Sequence, residues 1–203
     1  MPSDKELKLQ KLEKAADRCQ NCDLYKNATQ VVFGEGSARS KIFIVGEQPG
    51  HYEDLAGEPF VGPAGQMLRK CMEEAGLPES KVYFTNAVKH FKHEVVGKKR
   101  LHDKPNYQQI KACRPWLEKQ REIIKPKIIV ALGATAARSI LDRQPVIGKE
   151  RGQVLDELPS GERVILSWHP SAILRSYSST QSDKMRKELI NDLKLAMRTL
   201  NKL

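Results

Sequence analysis

The chain is poor in long apolar runs, in aromatic side chains and in cysteine. Among its 203 residues no apolar stretch approaches the roughly 20 needed to cross a bilayer. The N-terminus is charged rather than leader-like, which points to a cytoplasmic protein with no membrane association. There is no internal repeat and no low-complexity tract, so repeat arrays are set aside. Four cysteines, Cys19, Cys22, Cys71 and Cys113, would suit two disulfides in a small secreted protein, but in a reducing compartment they point to metal or redox use. Cys71 stands apart: within Met67-Leu68-Arg69-Lys70-Cys71-Met72 it falls in a helical pattern and reads as a small buried hydrophobe.

What is present is an ordinary globular composition, 39% hydrophobic and 30% charged, long enough for one substantial core and with nothing that divides it. One domain over residues 1–203 is the expectation, as a monomer. Thirty-five Lys and Arg against twenty-five Asp and Glu give a formal charge of +10 and a pI near 9.5, a field that attracts polyanions. Part of that surplus can be solvated helix surface, so its location decides. A basic loop, Gly97-Lys98-Lys99-Arg100-Leu101-His102, lies between two candidate metal ligands, His90 and Cys113. A nucleophilic imidazole on a cationic loop points to chemistry on a nucleic acid.

Periodicity predicts a helix over residues 4–18, a buried strand over 41–45, a helix over 64–75, a strand over 82–88 and a polar, basic loop running to 106. A long helix carrying Cys113 and Trp116 follows, then a strand at 128–132 closed by Gly133, a short helix from about 134, a strand at 163–167, and a closing amphipathic helix with Leu189, Ile190, Leu193, Leu195 and Met197. Strands separated by helices imply a three-layer α/β/α fold around a central, mostly parallel, four-stranded sheet. In such sheets ligands gather beyond the carboxyl ends of the strands, where Gly46 to Gly50, Asn86, Gly133 and His169 are all delivered.

Each of these strand ends has a bland and a chemical reading. The glycines around Glu47, Gln48 and Pro49 permit a close approach to a ligand, and Phe60 in Gly57-Glu58-Pro59-Phe60-Val61-Gly62 offers a flat stacking surface; a tight turn with a core Phe is the alternative. His169, before Pro170-Ser171, either donates to an oxygen gaining charge or is a satisfied structural histidine. Cys19 and Cys22 have the C-x-x-C spacing for a shared metal or cluster, Cys113 supplies a third donor, and His90 or His93 a fourth. By ligand type, zinc and iron both suit three thiolates and an imidazole.

The set Gly46-Glu47-Gln48-Pro49-Gly50, Glu58-Pro59-Phe60-Val61-Gly62, Asn86-Ala87-Val88-Lys89-His90, Lys99-Arg100-Leu101-His102 and His169-Pro170-Ser171 resembles the UdgX-type uracil-DNA glycosylases, relatives of the family 4 iron-sulfur enzymes. The match runs in order along essentially the whole chain. The resemblance implies that Phe60 stacks on a flipped uracil, Asn86 reads its polar edge and His169 stabilises charge on its carbonyl oxygen. It places Glu47 and Gln48 in the first active-site motif, beside His51, and Ser171 in the last. It also implies a 4Fe-4S cluster, rather than zinc, on Cys19, Cys22, His90 and Cys113, with a structural role.

In the UdgX type, the resemblance implies, the loop histidine, here His102, attacks the anomeric carbon itself and stays attached to the abasic site, with Glu47 orienting or deprotonating it and Arg100 holding the loop or a phosphate. Uracil-containing DNA is then the partner, single-stranded favoured because an unpaired base is cheaper to extrude. The alternatives are a conventional hydrolytic family 4-like glycosylase with turnover, and a non-catalytic metal-bearing nucleic-acid binding module. One departure from the pattern is His51, where these families commonly carry an acidic residue.

Overall fold

A run such as Ile42-Phe43-Ile44-Val45 has no polar face, so as a strand it has to be covered on both sides. The computed structural model, which describes residues 2–156 and 158–203, covers it with helices on each face. In chain order the elements are α1 (Asp4–Ala16), β1 (Glu35–Gly36), β2 (Ile42–Gly46), α2 (His51–Ala56), α3 (Pro63–Ala75), β3 (Val82–Asn86), β4 (His93–Val96) and β5 (Lys99–His102). They continue with α4 (Tyr107–Ile124), β6 (Ile128–Leu132), α5 (Gly133–Leu141), α6 (Ile147–Glu150), β7 (Val154–Leu155), β8 (Arg163–Ser167), α7 (Pro170–Leu174) and α8 (Ser179–Leu200). No helix among the described residues is long and apolar enough to cross a membrane.

The sheet order is β1-β3-β2-β6-β8-β7. The four inner strands are parallel, while β1 and β7 pair antiparallel at the edges. Among the described residues the sheet therefore has six strands, where the sequence pattern predicts four. Each added edge is two residues long, too short for alternation to register, and β1 is the exposed pair Glu35-Gly36. The basic loop also differs from the expectation: residues 93–102 form a separate antiparallel hairpin, His93 opposite His102 and Val96 opposite Lys99. Gly97, with φ 60, takes the first of its two turn positions, as a II′ turn requires.

Alternation divides the core. Ile42 and Ile44 face α3 and α8 with Leu68, Met72, Leu189 and Leu193, while Phe43 and Val45 face α1, α4 and α5 with Leu9, Leu117, Ile124 and Ala137. Local signals set the helix ends. Ser3 and Glu6 form a capping box at α1, Asn106 and Gln109 another at α4, and α3 begins on Pro63 and stops at Gly76 in the left-handed region. Near the end of β8 the buried Asp192 of α8 accepts from Ser167 Oγ at 2.5 Å and Arg151 Nη2 at 2.5 Å, and Trp168 Nε1 donates to Glu188 at 2.6 Å. These bonds fix the chain immediately before His169.

Gly65 of α3 lies directly under the turn that holds Phe60, where a Cβ would collide with the Phe60 backbone carbonyl. Gly65→Ala is expected to cost about 1–3 kcal/mol through this overpacking, read as a fall in Tm of several degrees. An unchanged Tm would show that the Phe60 turn can retreat.

Candidate active site

The carboxyl ends of β2, β3, β6 and β8 open into a cavity of about 510 Å³, lined among others by Glu47, Gln48, His51, Phe60, Asn86, His102, Gly133, His169 and Ser171. Phe60 adopts φ 58, an uncommon region for a side chain of its size, and Arg69 Nη1 donates to its carbonyl at 2.7 Å. Its ring is buried against Phe84, with centroids 5.8 Å apart, and lies 6.5 Å from the His169 ring at an interplanar angle of 28°. Gly46 is required here because a Cβ would collide with the Asn86 side-chain oxygen and the Phe60 ring. The Asn86 backbone oxygen accepts from Lys89 Nζ at 3.0 Å; Lys89 also reaches Thr85 and Gln120, and burial pushes its pKa down to about 7.

Glu47 stands between two imidazoles. Its Oε1 is 3.2 Å from His102 Nε2, and its Oε2 accepts from the Thr135 hydroxyl. Burial alone would raise the Glu47 pKa, but the hydrogen bonds from His102 and Thr135 and the charges of His102 and His169 bring it below the ordinary carboxylate value. It is ionised at neutral pH. His169 behaves oppositely: burial pushes it down to about 4 against the pull of Glu47, so it is neutral. Its Nδ1 accepts from Ser171 N at 3.2 Å and lies 2.8 Å from Ser171 Oγ, which leaves the proton on Nε2. Ser171 thus fixes the tautomer.

The remaining motif residues hold the hairpin rather than face the cavity with their polar ends. Gln48 Nε2 donates to the carbonyls of Lys92 and Asp103, both at 3.0 Å, and its Oε1 accepts from Lys92 N at 3.2 Å, which clamps the two ends of the hairpin together. Arg100 Nη1 pairs with the fully buried Asp54 at 2.6 Å and donates to Thr29 Oγ1 at 3.2 Å. Its Nε and Nη2 lie 3.1 and 2.9 Å from His51 Nδ1, and the guanidinium covers the Phe91 ring. Arg100 and Gln48 place His102, on β5, at the cavity mouth.

Cys113 of α4 is buried beside Cys22, its Sγ accepts from Lys89 N at 3.2 Å, and burial raises its pKa to about 12. Cys19 Sγ accepts from Trp116 Nε1 at 3.1 Å and borders a cavity of about 160 Å³ that His90 also lines. The His90 imidazole is buried, with no hydrogen-bond partner among the described residues, and burial lowers its pKa. His93 sits on β4, stacked on Phe91 at 4.8 Å. Among the described residues no three of these donors already come together as a metal-holding group. By type and placement, three thiols and an unpartnered imidazole around one segment nevertheless fit a soft metal centre. Cys71, on α3, is buried in the core that this helix shares with β2 and α8, apart from the other three.

Sequence reasoning missed Thr135 and Asp54. Thr135 had a signal, being two residues beyond the strand-ending Gly133; Asp54, one of several acids after the glycine loop, had none that set it apart.

A mostly parallel sheet with helices on both faces and a pocket at its strand ends, furnished with an aromatic ring, an amide, a carboxylate and two imidazoles, places the chain among α/β proteins whose ligand site lies beyond the carboxyl ends of the strands. The chain matches the Uracil DNA glycosylase superfamily over residues 33–194. It is 38% identical over 186 residues to a Type-4 uracil-DNA glycosylase of Thermotoga maritima, covering 91% of each chain. It is also 36% identical over 173 residues to a Type-4 uracil-DNA glycosylase of Pyrobaculum aerophilum, covering 82% of this chain and 85% of that one, and 36% identical over 162 residues to that of Archaeoglobus fulgidus, covering 77% and 78%. The chain belongs to the uracil DNA glycosylase superfamily.

The neutral state of His169 makes a pH prediction. With an ordinary value of 6.5 and a folded value of about 4, the unfolded chain binds more protons in that window, so this contribution to stability is complete above pH 6.5 and is lost as pH falls toward 4. His169→Gln is expected to lose less Tm than the parent protein between pH 6.5 and 4. An equally steep fall would show that the imidazole is not held neutral.

Proposed function

We propose that the protein excises uracil from DNA, single strands favoured, and that His102 takes the sugar. The observation that carries this reading is the His102 to Glu47 contact of 3.2 Å at the mouth of the cavity that also holds Phe60, Asn86 and the neutral His169. Phe60 supports the extruded base, Asn86 pairs with its amide edge, and His169 Nε2–H donates to the carbonyl oxygen that gains charge. As the glycosidic C–N bond breaks, its electron pair leaves with uracil as the anion. A lone pair of the His102 ring forms the new bond to the anomeric carbon and leaves the ring cationic; the Glu47 carboxylate beside it offsets that charge and then takes the ring's remaining N–H proton, so that the attached ring ends neutral. No good leaving route follows, so the product is a protein joined to an abasic site.

Cys19, Cys22, His90 and Cys113 are the residues that would hold a 4Fe-4S cluster, which would supply a structural tie between the 19–22 turn, the segment before the hairpin and α4. Such protein is expected to be brown, with visible absorbance that Cys113→Ser abolishes. Colourless protein carrying zinc would replace the cluster with a zinc site.

The likeness to Type-4 uracil-DNA glycosylases leaves hydrolysis with turnover as the second reading, with Glu47 ordering a water in place of the ring. Mixing the protein with a uracil-containing single strand and running a denaturing gel separates the two. A protein–DNA band that survives SDS and heat, with the added mass on His102, is expected, and His102→Ser reduces that band to background. Glu47→Gln slows uracil release by about 10²–10⁴-fold if its carboxylate transfers the proton. An undiminished band in His102→Ser would overturn covalent capture, and no free uracil would overturn the excision.

A further inference from the structure

Three aromatic rings line the cavity, and they differ in where they point: Phe60 is buried, Trp168 is half-buried and tied to Glu188, and Tyr52 is 59% exposed. Tyr52 is the second residue of α2, immediately after the glycine loop that carries Glu47. Its ring is held on two sides. The His51 ring meets it edge-on, with centroids 5.4 Å apart at 73°, and the Gly62 backbone lies under it so closely that a Cβ there would touch Tyr52 Cδ2 at 3.4 Å. His51 is itself fixed by Arg100 through its Nδ1. One turn further along α2, Leu55 is 54% exposed, so Tyr52 and Leu55 both present apolar surface on the outward side of this short helix. A large ring left in water costs apolar exposure, and nothing in the fold requires it there.

We propose that Tyr52 is a stacking platform for the nucleobase adjacent to the extruded uracil. The proposal rests on the reading of the cavity as a uracil site. Aromatic faces beside a cationic track are how proteins grip single strands without reading sequence, because every base has a π-face. Here Lys98 and Lys99 put two exposed cations on the hairpin whose Arg100 fixes His51, and the chain as a whole carries +10. A strand whose uracil enters the cavity places its neighbouring base at the rim, where the Tyr52 ring lies. The platform holds the backbone at the entry while the hairpin histidine addresses the sugar.

The test measures single-turnover uracil release against protein concentration for three single strands: one natural, one with a base-less tetrahydrofuran on the 5′ side of the uracil, and one with it on the 3′ side. Base–aromatic stacking of ordinary strength predicts that Tyr52→Ala raises the half-saturating concentration about 5- to 100-fold on the natural strand with little change in the maximal rate. Tyr52→Phe stays close to the parent protein. One of the two base-less strands weakens the parent protein by the same factor and weakens Tyr52→Ala no further. Equal concentrations for Tyr52→Ala and the parent protein, or a defect of the same size on both base-less strands, would overturn the proposal. If the parent protein releases no uracil at all, the uracil reading fails. The anisotropy of a labelled strand then still decides for Tyr52, with lower affinity of Tyr52→Ala expected and equal affinity against it.

Discussion

The pairing of Arg100 with Asp54 is the constraint on which the site depends. Asp54 has no exposure to solvent, and its carboxylate takes Thr29 N, Thr29 Oγ1 and Arg100 Nη1. A buried carboxylate is tolerated only with partners of this kind; removing one member of such a pair costs about 3–5 kcal/mol because the other charge is left stranded. The hairpin needs this anchor. Two strands alone are marginal in water, and Val95, Val96 and Leu101 on this one are exposed. What holds it over the cavity is Arg100 in the middle and Gln48 at its base, with Lys92 Nζ and Asp103 closing the neck at 2.7 Å. His102 reaches Glu47 because the residue two before it is locked to α2.

The same anchor explains how the chain accommodates His51. An acid at this position would accept hydrogen bonds from Arg100 and add a second negative charge beside Asp54. The imidazole keeps the acceptor, since Nδ1 lies within hydrogen-bond reach of Arg100 Nε and Nη2, and leaves out the charge. The hairpin therefore remains tied with no further carboxylate added beside Asp54. An approaching polyanion is spared that repulsion.

The inner sheet was legible because β2, β3 and β6 are buried end to end, and only a continuous apolar run satisfies two covered faces. The strand ends were legible for the same reason, which is why Asn86, Gly133 and His169 could be placed around one cleft from their order alone. The hairpin was not. Its strands, His93 to Val96 and Lys99 to His102, bury no apolar face, so alternation carries no signal, and Gly97 alone marks the turn. The α2 helix, six residues after a glycine loop, is too short for periodicity. The roles of Gln48 and Arg100 were illegible for a different reason. A long polar side chain declares what it can bond, not with what, and both chose backbone or buried partners more than 40 residues away.

In the proposed reaction the electrostatic problem is to separate two charges that form together, negative on the departing base and positive on the sugar and then on the attacking ring. A protonated His169 would stabilise the anion more strongly, but it would also sit beside Arg175 and a second imidazole, and burial keeps it neutral instead. A neutral donor whose tautomer is fixed by Ser171 stabilises the anion without needing a proton from solvent. Glu47 is the complement. Held ionised by Thr135 and His102, it faces the ring that becomes cationic. The two imidazoles are thus given opposite tasks by their surroundings: one by burial that outweighs the pull of Glu47, the other by a carboxylate at 3.2 Å in a half-exposed position. Their assignment follows from environment, because the side chains themselves are identical.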